Sequence, residues 1–327
     1  MAKRAAPLLF AIAALFAGSA AFAQSSQFDE LLAGVVRIKT VINPDARTTA
    51  NLGREREGSG IVIDDNGLVL TIGYLMVEAD AAEIRANDGR TVPANIVGYD
   101  HETGFGLLRA MIPLKVRPLP IGKSADLREG DPVVIASFGG AAGAAPARVI
   151  AKKEFAGSWE YLLDEAIFTA PPHMQWSGAA LINREGKLVG VGSLILSDAN
   201  GGGVPGNMFV PIDRLPPILS DLIAQGRVSS APRPWLGVTT NEIGGKLLLS
   251  QVAPAGPGEK AGLKRGDIVV SVAGARPKGL ADFYRKVWAR GEAGATVPLD
   301  IERGGETRHF DVQSMNRLDH LKLRNTY

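Results

Sequence analysis

The 327-residue sequence contains no cysteine, which removes disulfides, thiolate zinc sites, a cysteine nucleophile and a lipid-modified cysteine at a processing point. Histidine is scarce too. Of the four, His101 stands beside Glu102 without a second histidine at helical spacing, and His309 and His320 are isolated, so no metal constellation forms. Nothing in the pattern calls for a cofactor. The apolar run Leu8 to Phe16 falls short of the about 20 residues that a membrane-spanning helix needs, and no later stretch is long enough. An excess of one charge is missing as well. Residues 1–23 hold two of the 36 Lys and Arg and none of the 34 Asp and Glu, leaving the remainder balanced at 34 of each. A nucleic-acid partner, which requires a basic face or stripe, gains no support.

What is present begins with a processing signal. Lys3 and Arg4 form a basic start, the apolar run follows, and Ala21-Phe22-Ala23 gives a small-x-small site before Gln24. This reads as a cleavable secretory signal over 1–23, with a periplasmic or secreted mature chain and no integral membrane span after cleavage. An uncleaved anchor is the alternative. The length exceeds what one hydrophobic core organises, so two domains are expected after the signal.

From Val35 to about Val210, short Val/Ile/Leu-rich runs alternate with turn residues. Strands are expected at Gly60 to Ile63, Leu68 to Thr71, Thr91 to Val97, Phe105 to Ala110, Pro132 to Ser137, Arg148 to Lys152 and Lys187 to Leu196. Turn signals such as Asp65-Asn66-Gly67 and Asn87-Asp88-Gly89 join them, and many short strands at this spacing predict an all-β barrel or sandwich. A helix over Pro211 to Gln225 carries Ile212, Leu215, Ile218, Leu219 and Leu222 on one face and stops at Gly226. The proline-bearing stretch after it reads as a linker. Beyond lies a compact α+β pattern. It has strands at Gly237 to Thr240, Lys246 to Val252, Ile268 to Val272, Val297 to Arg303 and Arg308 to Val312, a short helix starting near Ala261, and a longer one over Gly279 to Ala289.

Four blocks, Gly58 to Thr71, Asp88 to Asp100, Gly130 to Gly139 and Ser177 to Val191, resemble the protease domain of the HtrA (Deg) family of periplasmic trypsin-like serine proteases in order and spacing. Trp235-Leu236-Gly237-Val238 and the run Ala253 to Gly274, with its Gly-Leu-x-x-Gly-Asp core at Gly262 to Asp267, resemble a PDZ domain of the type fused to those proteases. The resemblance implies a mainly β fold: a chymotrypsin-like double β-barrel followed by an α+β PDZ domain. It divides the chain into a signal (1–23), a protease-like domain (24–226), a linker (227–233), a PDZ domain (234–316) and a tail (317–327).

The same resemblance locates an active site and shows it altered. Ser177 holds the nucleophile position. The histidine position carries Tyr74, whose phenol, with a reference pKa near ~10, offers a proton at neutral pH instead of accepting one. The aspartate position carries Gly104, which has no side chain to orient a base. Gln175 stands where the family has the glycine that completes the oxyanion hole, a place where glutamine reaches the needed backbone conformation only at a cost. Losing the general base costs a serine protease on the order of a millionfold in kcat. The expectation is a protease homologue without proteolytic activity; a working endopeptidase that activates Ser177 through an unrecognised base remains the alternative. His101, His173, Lys152 and Lys153 are the candidates for such a base.

PDZ domains hold the free C-terminus of a partner chain as an added strand, its carboxylate on backbone N–H groups of a tight loop. The resemblance assigns that loop to Trp235, Leu236, Gly237 and Val238, and the groove wall to Leu280, Phe283, Tyr284 and Val287; filling the module's own core is the competing role of the wall residues. Expected partners are polypeptide C-termini or unfolded proteins, with assembly as a homotrimer or with related subunits.

Overall fold

The computed structural model describes residues 27–323. The expected secretory signal lies outside the described residues. Among those residues no helix is long and apolar enough to cross a membrane.

Six antiparallel strands close the first barrel in the order β1-β2-β3-β6-β5-β4. They are β1 (Val35–Ile42), β2 (Glu55–Val62), β3 (Leu68–Ile72), β4 (Ala79–Arg85), β5 (Thr91–Tyr99) and β6 (Phe105–Ala110). Period-2 alternation specifies them: β1 buries Val36, Ile38, Thr40 and Ile42 and turns Arg37, Lys39 and Val41 outward. β3 is buried at all five positions, because each of its faces meets apolar packing. Val69 joins Ile38 and Leu108 in the barrel's own core, whereas Leu68, Leu70 and Ile72 join Phe168 and Val191 of the second barrel.

The second barrel closes as β10-β11-β12-β9-β8-β7. Its strands are β7 (Pro132–Ala136), β8 (Ala144–Gly157), β9 (Tyr161–Ala170), β10 (Ala180–Ile182), β11 (Leu188–Leu196) and β12 (Gly206–Pro211). β8 and β9 form a long hairpin in which Gly157 pairs with Tyr161, leaving a tip of Ser158, Trp159 and Glu160. The expected helix over Pro211 to Gln225 is shorter: a 3-10 turn at Ile212–Arg214 precedes the α-helix Pro216–Gln225. Pro216 and Pro217 lack N–H donors and fit only a first helical turn, so they set its start. Gly226, at φ 72°, ends it by donating to the Leu222 carbonyl.

The C-terminal module is a five-stranded antiparallel sheet in sequential order. It comprises β13 (Val238–Ile243), β14 (Lys246–Val252), β15 (Ile268–Val272), β16 (Thr296–Arg303) and β17 (Glu306–Gln313), with the helix Leu280–Trp288 packed against it. The short helix lies at Pro257–Lys260, ending at Ala261 instead of starting there, since Pro257 occupies its first turn. Asp267, 1% exposed, receives two hydrogen bonds from Arg303 at 2.6 and 2.7 Å and ties β16 to the loop before β15. The expected tail forms a helical turn, Arg317–His320, and returns to the first barrel, where the Lys322 N–H donates to Glu78 at 2.7 Å.

Candidate functional site

The junction of the two barrels brings Ser177, Tyr74 and Gly104 together. Ser177 precedes β10, Tyr74 lies in the 3-10 turn Gly73–Leu75 that follows β3, and Gly104 precedes β6. The Gly73 N–H donates to the Gly104 carbonyl at 2.6 Å, and the Ser59 N–H donates to the Ser177 carbonyl at 2.8 Å. Gly178 makes the close approach of Ser177 to β2 and β3 possible: at φ +71°, a Cβ there would lie 2.0 Å from the Ser59 carbonyl oxygen. Arg56 fixes the Tyr74 segment from below, donating to the carbonyls of Tyr74 at 2.8 Å and Val77 at 3.1 Å. Burial holds the Arg56 guanidinium down to about 10, with Glu78 and Tyr99 opposing the shift.

The Tyr74 hydroxyl donates to the Ser193 carbonyl at 2.9 Å. Burial pushes its pKa up to about 12, an effect that the adjacent Ser177 and Trp176 side chains only partly offset. At neutral pH it is therefore a proton donor whose proton is already engaged. Ser177 stands beside the phenol without reaching hydrogen-bond geometry, and its buried Oγ has no partner among the described residues.

Gly104 adopts φ +83°, and a Cβ on it would sit 3.3 Å from the Tyr161 hydroxyl and 3.4 Å from Ile72 Cδ1. Tyr161 and Ile72 thus occupy the space into which a side chain at this position would project. The Tyr161 hydroxyl donates to the Thr103 carbonyl at 2.7 Å, and burial raises its pKa far above the ordinary phenol value. At the oxyanion position, the Gln175 N–H donates to His173 Nδ1 at 3.1 Å, and the Gln175 side-chain oxygen accepts from the Ser137 hydroxyl at 2.7 Å. Burial lowers the His173 pKa, in keeping with a neutral ring that accepts at Nδ1.

The other candidate bases have different occupations. Lys152 pairs with Glu165 at 3.0 Å and donates to the carbonyls of Ser124 and Leu127, each at 3.2 Å. Lys153 lies over the Phe168 ring, 5.1 Å from its centre. His101, depressed to about 4 by burial and then by Arg317, lines a cavity of about 570 Å³ between the first barrel and the linker, together with Asp100, Arg227 and Asn316. None of the three is hydrogen-bonded to Ser177.

In the C-terminal module, the loop Trp235 to Val238 leads into β13, whose outer edge faces the helix Leu280–Trp288. Leu236, Val238, Phe283, Tyr284 and Val287 are buried in one apolar cluster, with Leu280 packed at its border. Leu162 of β9 belongs to the same cluster. Trp235 sits with its ring centre 4.7 Å from that of His320, and a Cβ on Gly237 would meet its indole at 3.2 Å.

A family model described as a trypsin-like peptidase domain matches residues 58–191, and one described as a PDZ domain matches residues 234–313. The chain joins a trypsin-like peptidase domain to a PDZ domain. It is 31% identical over 280 residues to serine protease PepD of Mycobacterium tuberculosis, covering 77% of this chain and 59% of PepD. It is 30% identical over 271 residues to the periplasmic pH-dependent serine endoprotease DegQ of Escherichia coli, covering 78% of this chain and 58% of DegQ. The chain thus spans less than two thirds of the length of these curated relatives. Its fold is similar to that of the HtrA-type protease AlgW solved with a decapeptide, with a TM-score of 0.52, 20% identity, and coverage of 90% of this chain and 97% of that one.

Sequence reasoning missed one residue at the PDZ loop. The Leu236 and Val238 N–H groups each donate at 2.9 Å to the carboxylate of Glu160, which comes from the peptidase-domain hairpin tip. An acidic residue in a three-residue gap between apolar runs is an ordinary turn in sequence, and no local signal marks its distant partner. Arg56, in the charged stretch Arg54 to Glu57, was equally unmarked.

Proposed function

We propose that this chain is an exported HtrA-type protease homologue that binds polypeptide chains through its PDZ domain and does not cleave them. Similarity to PepD and DegQ across both domains supports placing it in that family. The single observation that carries the reading is the state of the nucleophile: among the described residues the buried Ser177 hydroxyl has no hydrogen-bond partner, and the side chain in the histidine position spends its proton on the Ser193 carbonyl. A serine hydroxyl needs an adjacent acceptor for its proton before it attacks a carbonyl, and Tyr74, held to about 12, is not one. Gly104 and the engaged Gln175 N–H support the same conclusion from the orienting and oxyanion positions. Periplasmic residence, and assembly as a homotrimer or with related subunits, belong to the same proposal and are checked by fractionation and sedimentation.

The competing reading, an active serine endopeptidase, is favoured by the retained Ser177 and by the names of the relatives. A fluorophosphonate probe decides between the two. The expected result is no labelling of Ser177 and no casein cleavage beyond that of Ser177→Ala. Labelling and turnover that vanish together in Ser177→Ala would establish the endopeptidase.

A further inference from the structure

A PDZ groove receives an extended chain on the open edge of one strand and holds its terminal carboxylate on the N–H groups of the preceding loop. Each element of that arrangement is already engaged here by the β8–β9 hairpin. The Glu160 carboxylate takes the N–H groups of Leu236 and Val238 at 2.9 Å each. Two residues earlier, the Ser158 carbonyl accepts from the Thr240 N–H at 2.8 Å, on the edge of β13 that no other strand of the sheet covers. On the opposite wall, the Tyr284 hydroxyl donates to the Gly157 carbonyl at 2.7 Å and accepts from the Glu160 N–H at 3.2 Å. Leu162 completes the insertion by entering the PDZ core, where it is 6% exposed.

Three further observations support a built fit. Glu160 has φ 58°, the left-handed conformation that the last residue of a three-residue hairpin turn adopts and that glycine normally fills. The residue held in that conformation is the one whose carboxylate takes the two loop N–H groups. Beside the tip, Arg285 of the groove helix pairs with Glu154 on β8 and, at 2.9 Å, with Asp164 on β9, bracketing both strands of the hairpin. The Trp159 carbonyl accepts from Arg317 at 3.1 Å.

We propose that the hairpin tip, residues 157–162, is a built-in ligand of the PDZ groove, with the Glu160 side chain in the place of a C-terminal carboxylate, so that a partner's C-terminus binds only by displacing it. This inference rests on the peptide-binding reading above and adds its regulation: the resting groove is closed, and the affinity for an external chain is reduced by the fraction of molecules in which the tip is seated. It also fixes the chemistry of a competitor, a peptide with a free carboxylate at its end that can add to β13 as an antiparallel strand.

The test uses the full chain and a fluorescein-labelled pentapeptide Ala-Gly-Ser-Trp-Glu, the sequence of residues 156–160 with a free terminal carboxylate. Glu160→Ala is expected to bind it at least ~10-fold more tightly than the wild type, and Glu160→Gln, which keeps the shape, to an intermediate degree. Hydrogen exchange provides the second readout. The amides of Leu236, Val238 and Thr240 are expected to exchange at least ~10-fold faster in Glu160→Ala, while those of β15 and β16 stay protected and show that the module is folded. Unchanged exchange at the three amides, or a wild type that binds the peptide as tightly as the variant, overturns the built-in ligand. Faster exchange with no peptide binding by either protein overturns the peptide-binding reading instead.

Discussion

The docked Glu160 carboxyl makes the contact between the domains sensitive to pH, and its direction follows from proton linkage. Burial raises its pKa from the ordinary 4.5 to about 7, with the N–H donors of Leu236 and Val238, the charge of Arg317 and the Gly237 N–H pulling the other way. Between those two values the seated tip holds a proton that the free tip has lost. Lowering the pH therefore adds to seating: the protonation-linked part is fully present below about 4.5 and is lost above about 7, where the ionised carboxylate keeps its N–H partners. Two and a half units correspond to a factor of ~300, or roughly 3 kcal/mol at 1.36 kcal/mol per unit, as an upper bound. Among the other groups facing the tip, Tyr284, raised by burial far above this window, keeps its proton through it, and His101, depressed to about 4, is neutral across it. Glu102, raised by burial and paired with Arg233 at 3.0 Å, lines the same space as Glu160. Protection factors for the Leu236 and Val238 amides, corrected for intrinsic exchange, are expected to fall ~10- to 100-fold between pH 5.5 and pH 8. In Glu160→Gln they are expected to keep only the slope that Glu102 contributes. Protection that rises with pH in the wild type would refute the reasoning, because the N–H donors would then outweigh burial.

Four substitutions test other parts of the structure. Leu162→Ala removes a side chain of β9 from the PDZ core and is expected to destabilise that domain by about 2–5 kcal/mol in denaturant unfolding, although the residue belongs to the peptidase domain. Gly178→Ala places a Cβ 2.0 Å from the Ser59 carbonyl oxygen at φ +71°, and is expected to cost more than ~1 kcal/mol and lower the melting temperature; an unchanged melting temperature would remove the steric argument. Gly104→Asp added to Tyr74→His is expected to speed Ser177 labelling by a fluorophosphonate by less than ~10-fold, far short of the about 10⁴ that an orienting carboxylate supplies, because Tyr161 and Ile72 flank the space it would enter. A gain of about 10⁴ in the double variant would show that position 104 admits an orienting carboxylate and would refute the steric reading.

Much of this architecture was legible in the sequence because strong turn signals bound its strands. Gly244-Gly245 sets the start of β14, Gly266-Asp267 that of β15, and Gly104 precedes β6, so Lys246–Val252, Ile268–Val272 and Phe105–Ala110 match their expected limits. The expected strand Arg148 to Lys152 is the middle of a fourteen-residue strand, Ala144–Gly157. Its distal half carries Lys153 and Glu154 and has no clean alternation, because that part pairs with β9 while Ala156 packs against another domain. Periodicity registers one buried face of one domain, and a strand shared by two domains falls outside it. Tyr74 and Gly104 were singled out by the family resemblance, and the structure places both at the junction with Ser177. The third feature at that site, the Tyr161 hydroxyl beside Gly104, comes from a residue 57 positions away and required the fold.

That residue joins the two halves of the argument. Successive side chains of a strand point to opposite faces. At the start of β9, Leu162 enters the PDZ core, whereas Tyr161 turns back into the peptidase domain, its hydroxyl bonded to the Thr103 carbonyl and adjacent to Gly104. Glu160, next in line, takes the PDZ loop N–H groups. Three consecutive residues therefore run from the space beside Gly104 to the PDZ loop. An aspartate at 104 would compete with that hydroxyl for the same volume. A glycine at 104 and the inserted hairpin are thus sterically compatible with each other, and a side chain at position 104 works against the seated tip.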